Sequence, residues 1–152
     1  TRLKNRNAYQ LDMKNRIAAK KEKDTGFILI DLNSLKHIND TMGHETGDRY
    51  ITCISQAYLN MGPEDGIMYR IGGDEFVVVM KQMKTDEAAL KKGEEICRAI
   101  REMGAGGNLA ACTAGVVRRN EPDSSEELIE RADQALYQAK KNNKGGCSLW
   151  RK

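Results

Sequence analysis

Two acids on a glycine turn and a third inside an apolar run are the residues of this chain best placed to do chemistry. Gly72-Gly73-Asp74-Glu75 lies between two strand-like runs, Tyr69-Arg70-Ile71 and Phe76-Val77-Val78-Val79-Met80. Adjacent glycines permit positive φ and let a phosphate approach the backbone with no Cβ in the way, while the acids offer hard oxygen ligands to magnesium. A Gly-Gly-Asp hairpin with solvated acids is common by itself. The third acid changes the weighting. Phe27-Ile28-Leu29-Ile30-Asp31-Leu32 reads as a buried strand with an internal aspartate, a costly position unless the carboxylate is paired, hydrogen-bonded or bound to a cation. With that strand beside the hairpin, Asp31 and Asp74 are expected to face each other across neighbouring strands and share a divalent ion that relieves their repulsion.

The elements that must position these acids are legible from periodicity. From Asn5 to about Lys23 a basic segment with Tyr9, Met13 and Ile17 at helical spacing predicts an amphipathic helix on the sheet. Leu35 to Met42 reads as a short helix. After Gly43 and Gly47 a longer one carries Tyr50, Ile51, Ile54, Ala57, Tyr58 and Met61 and ends at Gly62-Pro63. Beyond the hairpin, a helix from about Thr85 to Met103 and a strand from about Leu109 to Val117 are joined by Gly104-Ala105-Gly106-Gly107. Ser124-x-x-Glu127 is a capping box for a last helix with Leu128, Ile129, Ala132, Ala135, Leu136 and Ala139 on its buried face. Cys147 to Trp150 forms a short final strand. The alternation implies an α/β or α+β sheet with helices packed on it.

With 152 residues, 39% of them hydrophobic and 31% charged, one globular domain with a sizeable core is expected. The net charge of +3 is small and its lysines are dispersed, which argues against general nucleic-acid binding while leaving small anions welcome. Cys53, Cys97, Cys112 and Cys147 show no Cys-x-x-Cys spacing, and Cys53 and Cys97 fall on apolar stripes. Reduced, packed thiols and a cytosolic setting follow. No run approaches the roughly 18 apolar residues of a membrane span, so no direct insertion is expected from this stretch.

Five spaced pieces then occur in order: Thr1-Arg2-Leu3-Lys4-Asn5-Arg6; Asp31-Leu32-Asn33-Ser34-Leu35-Lys36-His37-Ile38-Asn39-Asp40 followed by Gly43-His44 and Gly47-Asp48; Arg70-Ile71-Gly72-Gly73-Asp74-Glu75-Phe76; Thr113-Ala114-Gly115; and Arg131-Ala132-Asp133 with Ala135-Leu136-Tyr137 and Ala139-Lys140. Together they resemble the GGDEF family of diguanylate cyclases along essentially the whole chain. The resemblance implies an α+β, α/β-like sandwich, a central mostly antiparallel sheet flanked by helices as in nucleotidyl cyclases and polymerase palms. It implies a single domain over residues 1–152, the catalytic part of a longer signalling protein with attached sensory or regulatory domains. That protein is expected to be cytoplasmic, or membrane-anchored with this domain in the cytosol.

The implied reaction condenses two GTP into cyclic di-GMP and two pyrophosphates, one nucleotide held by each of two domains in a homodimer. In-line phosphoryl transfer asks mainly for positioning, charge neutralisation and help in removing the hydroxyl proton. By resemblance, Asp31, the Leu32 carbonyl and Asp74 hold magnesium, or manganese in its place, with two ions per half-site. Asp74 or Glu75 assists the hydroxyl, and sequence does not rank the two. Adjacent strand residues face opposite ways, so both reach the ions only if the turn redirects one; Asp74 is favoured as ligand. Backbone amides at Ser34 and Leu35 with the Lys36 ammonium bind phosphates at a helix start, and Lys140 and Lys144 form a second phosphate clamp. Asn39 and Asp48 select guanine, whose N1–H and N2–H a carboxylate can accept, and His44 lines the nucleotide site or hydrogen-bonds its own loop. As isolated residues these would be helix caps, turn formers and solvated lysines.

Departures from the family pattern bear on the expectation. Asn33 stands where many relatives have a second acid, Leu35 where an aromatic is frequent, and Lys144 where arginine is usual, which loses a bidentate phosphate contact. Pro63-Glu64-Asp65-Gly66 replaces the Arg-x-x-Asp of the product-inhibition site, and no arginine lies between Arg49 and Arg70. No allosteric product site is therefore expected. The rival reading is a catalytically silent module that binds GTP or cyclic di-GMP as a regulatory receptor.

Overall fold

The apolar run around Asp31 lies at the centre of a sheet. In a computed structural model describing residues 3–18, 24–32, 35–61, 66–103, 112–119, 125–142 and 146–151, that run is β2 (Thr25–Leu32), with all eight residues buried. It has neighbours on both sides and helices over both faces, which is why its sequence shows no polar alternation. The other strands are β1 (Lys4–Asn5), β3 (Gly66–Arg70), β4 (Glu75–Met80), β5 (Cys112–Arg119) and β6 (Cys147–Leu149). They form one sheet in the order β1-β3-β4-β2-β5-β6. The three inner ladders, β3 with β4, β4 with β2 and β2 with β5, are antiparallel, and the outer pairs β1 with β3 and β5 with β6 are parallel.

Period-2 alternation divides the core between two faces. Ile28, Ile30, Phe76, Val78 and Val116 pack against α3 (His44–Asn60) and α4 (Asp86–Met103) through Ile51, Ile54, Ile96 and Ile100. Phe27, Leu29, Val77, Val79 and Val117 pack against α1 (Arg6–Ala18) and α5 (Ser125–Asn142) through Tyr9, Met13, Leu128 and Leu136. Asp31 and Glu75 are in the odd-numbered series, so they belong to the α1 and α5 face.

The helix limits follow from local chemistry. The Ala8 N–H donates to Asn5 Oδ1 at 2.9 Å, an asparagine cap that starts α1 at Arg6. The Ala88 N–H donates to Thr85 Oγ1 at 3.0 Å and caps α4 in the same way. Between α2 (Leu35–Met42) and α3, Gly43 takes φ 89, a left-handed value that makes glycine the fitting residue there. The expected extension of α1 to Lys23, the start of β5 at Leu109 and Ser124 of the capping box lie outside the described residues. Strand β1 was not expected; two residues carry no readable period.

The expectation of positive φ at the hairpin glycines is corrected. Gly43 is the positive-φ glycine among the described residues, and neither Gly72 nor Gly73 takes such a value. Their advantage is openness instead. A Cβ at Gly73 would meet nothing within 4 Å, and one at Gly72 would make only ordinary contact with Glu75 Oε1 at 3.4 Å.

Candidate active site

Sheet register decides which acids meet. Asp31 lies directly opposite Glu75 in the β2–β4 ladder and opposite Thr113 in the β2–β5 ladder. The expected confrontation of Asp31 with Asp74 is therefore modified, because the cross-strand partner is Glu75 and Asp74 sits one residue back in the turn. The turn still bends over β2. The Leu32 N–H donates to the Asp74 carbonyl at 3.1 Å, and the Ile71 and Gly72 N–H groups both donate to the Glu75 carbonyl, at 3.0 and 3.3 Å. Asp74 is exposed, Glu75 is half-buried, and Asp31 is 9% exposed.

The charges of the cluster act on one another. Burial pushes the Asp31 carboxyl above its ordinary range; the hydrogen bond and positive charge of Lys140 pull it back, and the adjoining Asp74 carboxylate raises it again. Burial also raises Glu75, helped by the negative charges of Asp31, Asp74 and Asp133, with Lys140 opposing. Lys140 comes from the last turn of α5, and its ammonium pairs with Asp31 Oδ2. The other oxygen, Asp31 Oδ1, is buried and receives no hydrogen bond from a donor group, while the Asp74 carboxyl lies within hydrogen-bonding range of the Asp31 carboxyl. Such an oxygen is expensive where nothing else occupies it. With the Asp74 carboxyl beside it and the Leu32 backbone tethered to the same turn, the donor set is all hard oxygen, the chemistry that magnesium takes. Among the described residues no three His, Cys, Asp or Glu side chains are disposed to hold a metal, so a bound ion would draw on backbone, water or ligand oxygens as well.

The remaining residues that the resemblance assigns to nucleotide binding fall on α2 and α3. Helix α2 begins at Leu35, three residues after β2 ends at Leu32. Asn39 is half-buried on α2, while His44 and Asp48 are exposed in the first turns of α3. Buried Gly47 brings the two helices together, since a Cβ there would fall 1.8 Å from Asn39 Oδ1. Ser34 and Lys144 lie outside the described residues, as do the side chains of Leu35 and Lys36.

The sequence matches the family described as "Diguanylate cyclase, GGDEF domain" over residues 1–146. The chain belongs to the GGDEF domain family. Diguanylate cyclase DosC of Escherichia coli K12 is 32% identical over 158 aligned positions, which cover 99% of this chain and 34% of DosC. The chain thus spans about a third of the length of that relative. The active GGEEF domain of a diguanylate cyclase from Vibrio cholerae superposes with TM-score 0.86 at 28% identity, covering 99% of each chain. The GGDEF domain of DgcB from Caulobacter crescentus, solved in complex with c-di-GMP, gives 0.84 at 25% identity over 100% of this chain and 91% of that one. The sheet and its flanking helices are the GGDEF fold. No helix among the described residues is long and apolar enough to cross a membrane.

Two residues of the GGDEF site carried no assigned role in the sequence reading. Arg70 donates from Nε to the Gly72 carbonyl at 3.3 Å and from Nη2 to the Gly73 carbonyl at 2.9 Å, bracing the turn from below. Its place immediately before the turn was the available signal. Asp133 on α5 adds negative charge to Glu75. It lies seven residues before Lys140, two helical turns along one face, which helical spacing alone reveals.

Proposed function

We propose that this domain is a diguanylate cyclase, holding one GTP and joining it to a second GTP held by a facing copy, with cyclic di-GMP and two pyrophosphates as products. The observation that carries this reading is Asp31 Oδ1, buried with no donor and set against the Asp74 carboxyl, while Lys140 covers the other oxygen. A folded domain that existed only as scaffold would gain by replacing that carboxylate with an apolar side chain.

In this reading Asp31, the Leu32 carbonyl and Asp74 would hold magnesium or manganese, two ions per half-site, which when bound supply charge neutralisation at the phosphates and acidify the attacking hydroxyl. The protein's own groups do the rest. Amides at Ser34 and Leu35 orient the phosphates with Lys36, and Lys140 and Lys144 form a second phosphate clamp. Asn39 and Asp48 read the guanine edge, and His44 borders the nucleotide. Glu75 shares a sheet face with Asp31 and takes the proton of the 3′-hydroxyl, while Asp74 stays a ligand. The hydroxyl oxygen of one GTP then bonds to the α-phosphorus of the other as the bond to pyrophosphate breaks, and the same step in the opposite sense closes the ring. Facing copies, attached sensory domains and a cytoplasmic setting complete the proposal; DosC, of which this chain covers 34%, has length to spare for such domains.

The test fuses the chain to a dimeric coiled coil, supplies GTP or ATP with magnesium, and identifies products by mass spectrometry, with Asp74→Ala as control. The linear intermediate pppGpG and cyclic di-GMP from the native sequence alone support the cyclase. GTP binding without turnover in the forced dimer would overturn it in favour of a receptor module.

A further inference from the structure

Cysteines scattered along the sequence are gathered by the fold. Cys97 on α4, Cys112 at the start of β5 and Cys147 at the start of β6 are free thiols. Cys147 Sγ lies 3.5 Å from Cys97 Sγ, and Cys112 Sγ lies 3.8 Å from the Cys97 carbonyl oxygen. The close approach has a cause one turn earlier on α4. Gly93 sits so near the sheet that a Cβ there would fall 2.8 Å from Val116 Cγ2 and 3.6 Å from Cys147 Sγ. Four residues on, Cys97 is on the same helix face and reaches the same edge of the sheet.

We propose that Cys97 and Cys147 are a redox modification site, forming an intramolecular disulfide when the protein meets a hydroperoxide. The sulfurs are already in van der Waals contact, and a bond length near 2.0 Å asks for a closure of about 1.5 Å, within the reach of side-chain rotation plus small backbone movement. Accessibility sets the order of events. Cys147 is half-buried at a three-residue edge strand, whereas Cys97 is 1% exposed and Cys112 fully buried. Hydrogen bonding to Cys112 and Cys147, with burial, holds the Cys97 thiol well above its ordinary pKa, so Cys97 is the partner that waits. A metal reading of the trio finds no support, because no three such groups among the described residues are disposed to hold an ion.

The chemistry balances with hydrogen peroxide as oxidant. The Cys147 thiolate attacks one peroxide oxygen, the O–O bond breaks, and the departing hydroxide takes a proton to become water, leaving a sulfenic acid. Cys97 then loses its proton and attacks the Cys147 sulfur, forming the S–S bond and expelling hydroxide, which that proton converts to water. Two thiols are oxidised by two electrons and one peroxide is reduced to two waters. The product pins β6 to α4 across a sequence separation of 50 residues. Nothing in this proposal depends on nucleotide chemistry.

The experiment treats the full chain with hydrogen peroxide, then counts thiols, maps peptides under non-reducing conditions and measures Tm. The expected result is loss of two thiols with a Cys97–Cys147 linked peptide, and a rise of about 10 °C in Tm that dithiothreitol reverses, the size expected from closing a loop of this length. Cys97→Ser and Cys147→Ser each abolish the link, while Cys53→Ser and Cys112→Ser keep it. Should one of these variants not fold, the peptide map of the native chain still decides. A Cys97–Cys112 link, a bond between two chains, or oxidation of Cys147 to sulfinic acid with no link would each overturn the assignment.

Discussion

Replacing Gly115 by alanine should destabilise the domain more than any other glycine-to-alanine change near the site. Gly115 lies in β5, paired with Leu29 on one side and Ser148 on the other. Helix α5 rests directly on it. A Cβ at this position would fall 2.1 Å from the Ala132 carbonyl oxygen, 2.5 Å from the Leu136 nitrogen and 3.1 Å from the Leu136 Cα. Real Cβ atoms essentially never come within 3.0 Å of such neighbours, so α5 must withdraw by about 1 Å, and its backbone has no rotamer with which to escape. A gap of that size forfeits a quarter to a half of each dispersion contact along the helix, and overpacking of cores typically costs about 1–3 kcal/mol. Contact with backbone places this case near 3 kcal/mol. At about 2–4 °C per kcal/mol for a domain of this length, Tm should fall by about 6–12 °C. The same retreat would draw Lys140 away from Asp31. Urea and thermal unfolding measure the loss, with Gly73→Ala as control, since a Cβ there meets nothing within 4 Å and should cost no more than about 0.5 kcal/mol. If Gly115→Ala proves as stable as Gly73→Ala, the claimed close approach of α5 to the sheet is wrong.

Three further outcomes follow from the site. Asp31→Asn should stabilise the metal-free protein by about 0.5–2 kcal/mol, because burial and the neighbouring Asp74 disfavour a charged carboxylate in the folded state. The sign of the pH dependence agrees: Asp31 and Glu75 have folded pKa values raised above their unfolded ones, so the native state binds more protons in that window and stability falls as pH rises through it from about 4. Asp31→Asn should flatten that slope in a urea series across pH, and a loss of stability at neutral pH would contradict the account. Lys140→Met should raise the affinity for manganese measured by spin resonance without nucleotide, because the ammonium that pairs with Asp31 Oδ2 no longer competes. With a non-hydrolysable GTP analogue, nucleotide affinity should fall about tenfold, the scale of one charge-assisted contact. Unchanged manganese binding would remove the competition argument. Gly47→Ala should hold or raise stability through helix propensity, by up to about 1 kcal/mol, yet displace Asn39, whose Oδ1 lies 1.8 Å from the new Cβ. Equilibrium binding should then show a smaller preference for GTP over ATP, and an undiminished preference would exclude Asn39 as a base reader.

What could be read from sequence, and what could not, divides along the range of the interactions involved. Helix α2 was legible to the residue, and α4 within one, because period and capping act within a few positions; Thr85 both signals and caps its helix. Asp31 was legible as a buried acid because a charge in a continuous apolar run violates the burial rule by itself, and such local violations are where function is expected. Register was not legible. Which acid lies directly opposite Asp31 depends on how β4 is laid against β2, a one-residue matter that exchanges the faces of every side chain and is set by tertiary packing. The same limit hid the meeting of Cys97 with Cys147 and the bracing of the turn by Arg70. The glycines divide in the same way. Gly43 answers a local demand for positive φ, whereas Gly115 and Gly47 answer to a helix backbone and a side chain that sequence spacing does not place beside them. Gly115 and Gly47 both belong to the spaced pieces that marked the family, so those motifs record close tertiary approach as well as chemistry. Lys140 ties the two together: it reaches Asp31 from a helix whose distance from the sheet is set at Gly115, making a residue with no reactive group part of what positions the charge at the site.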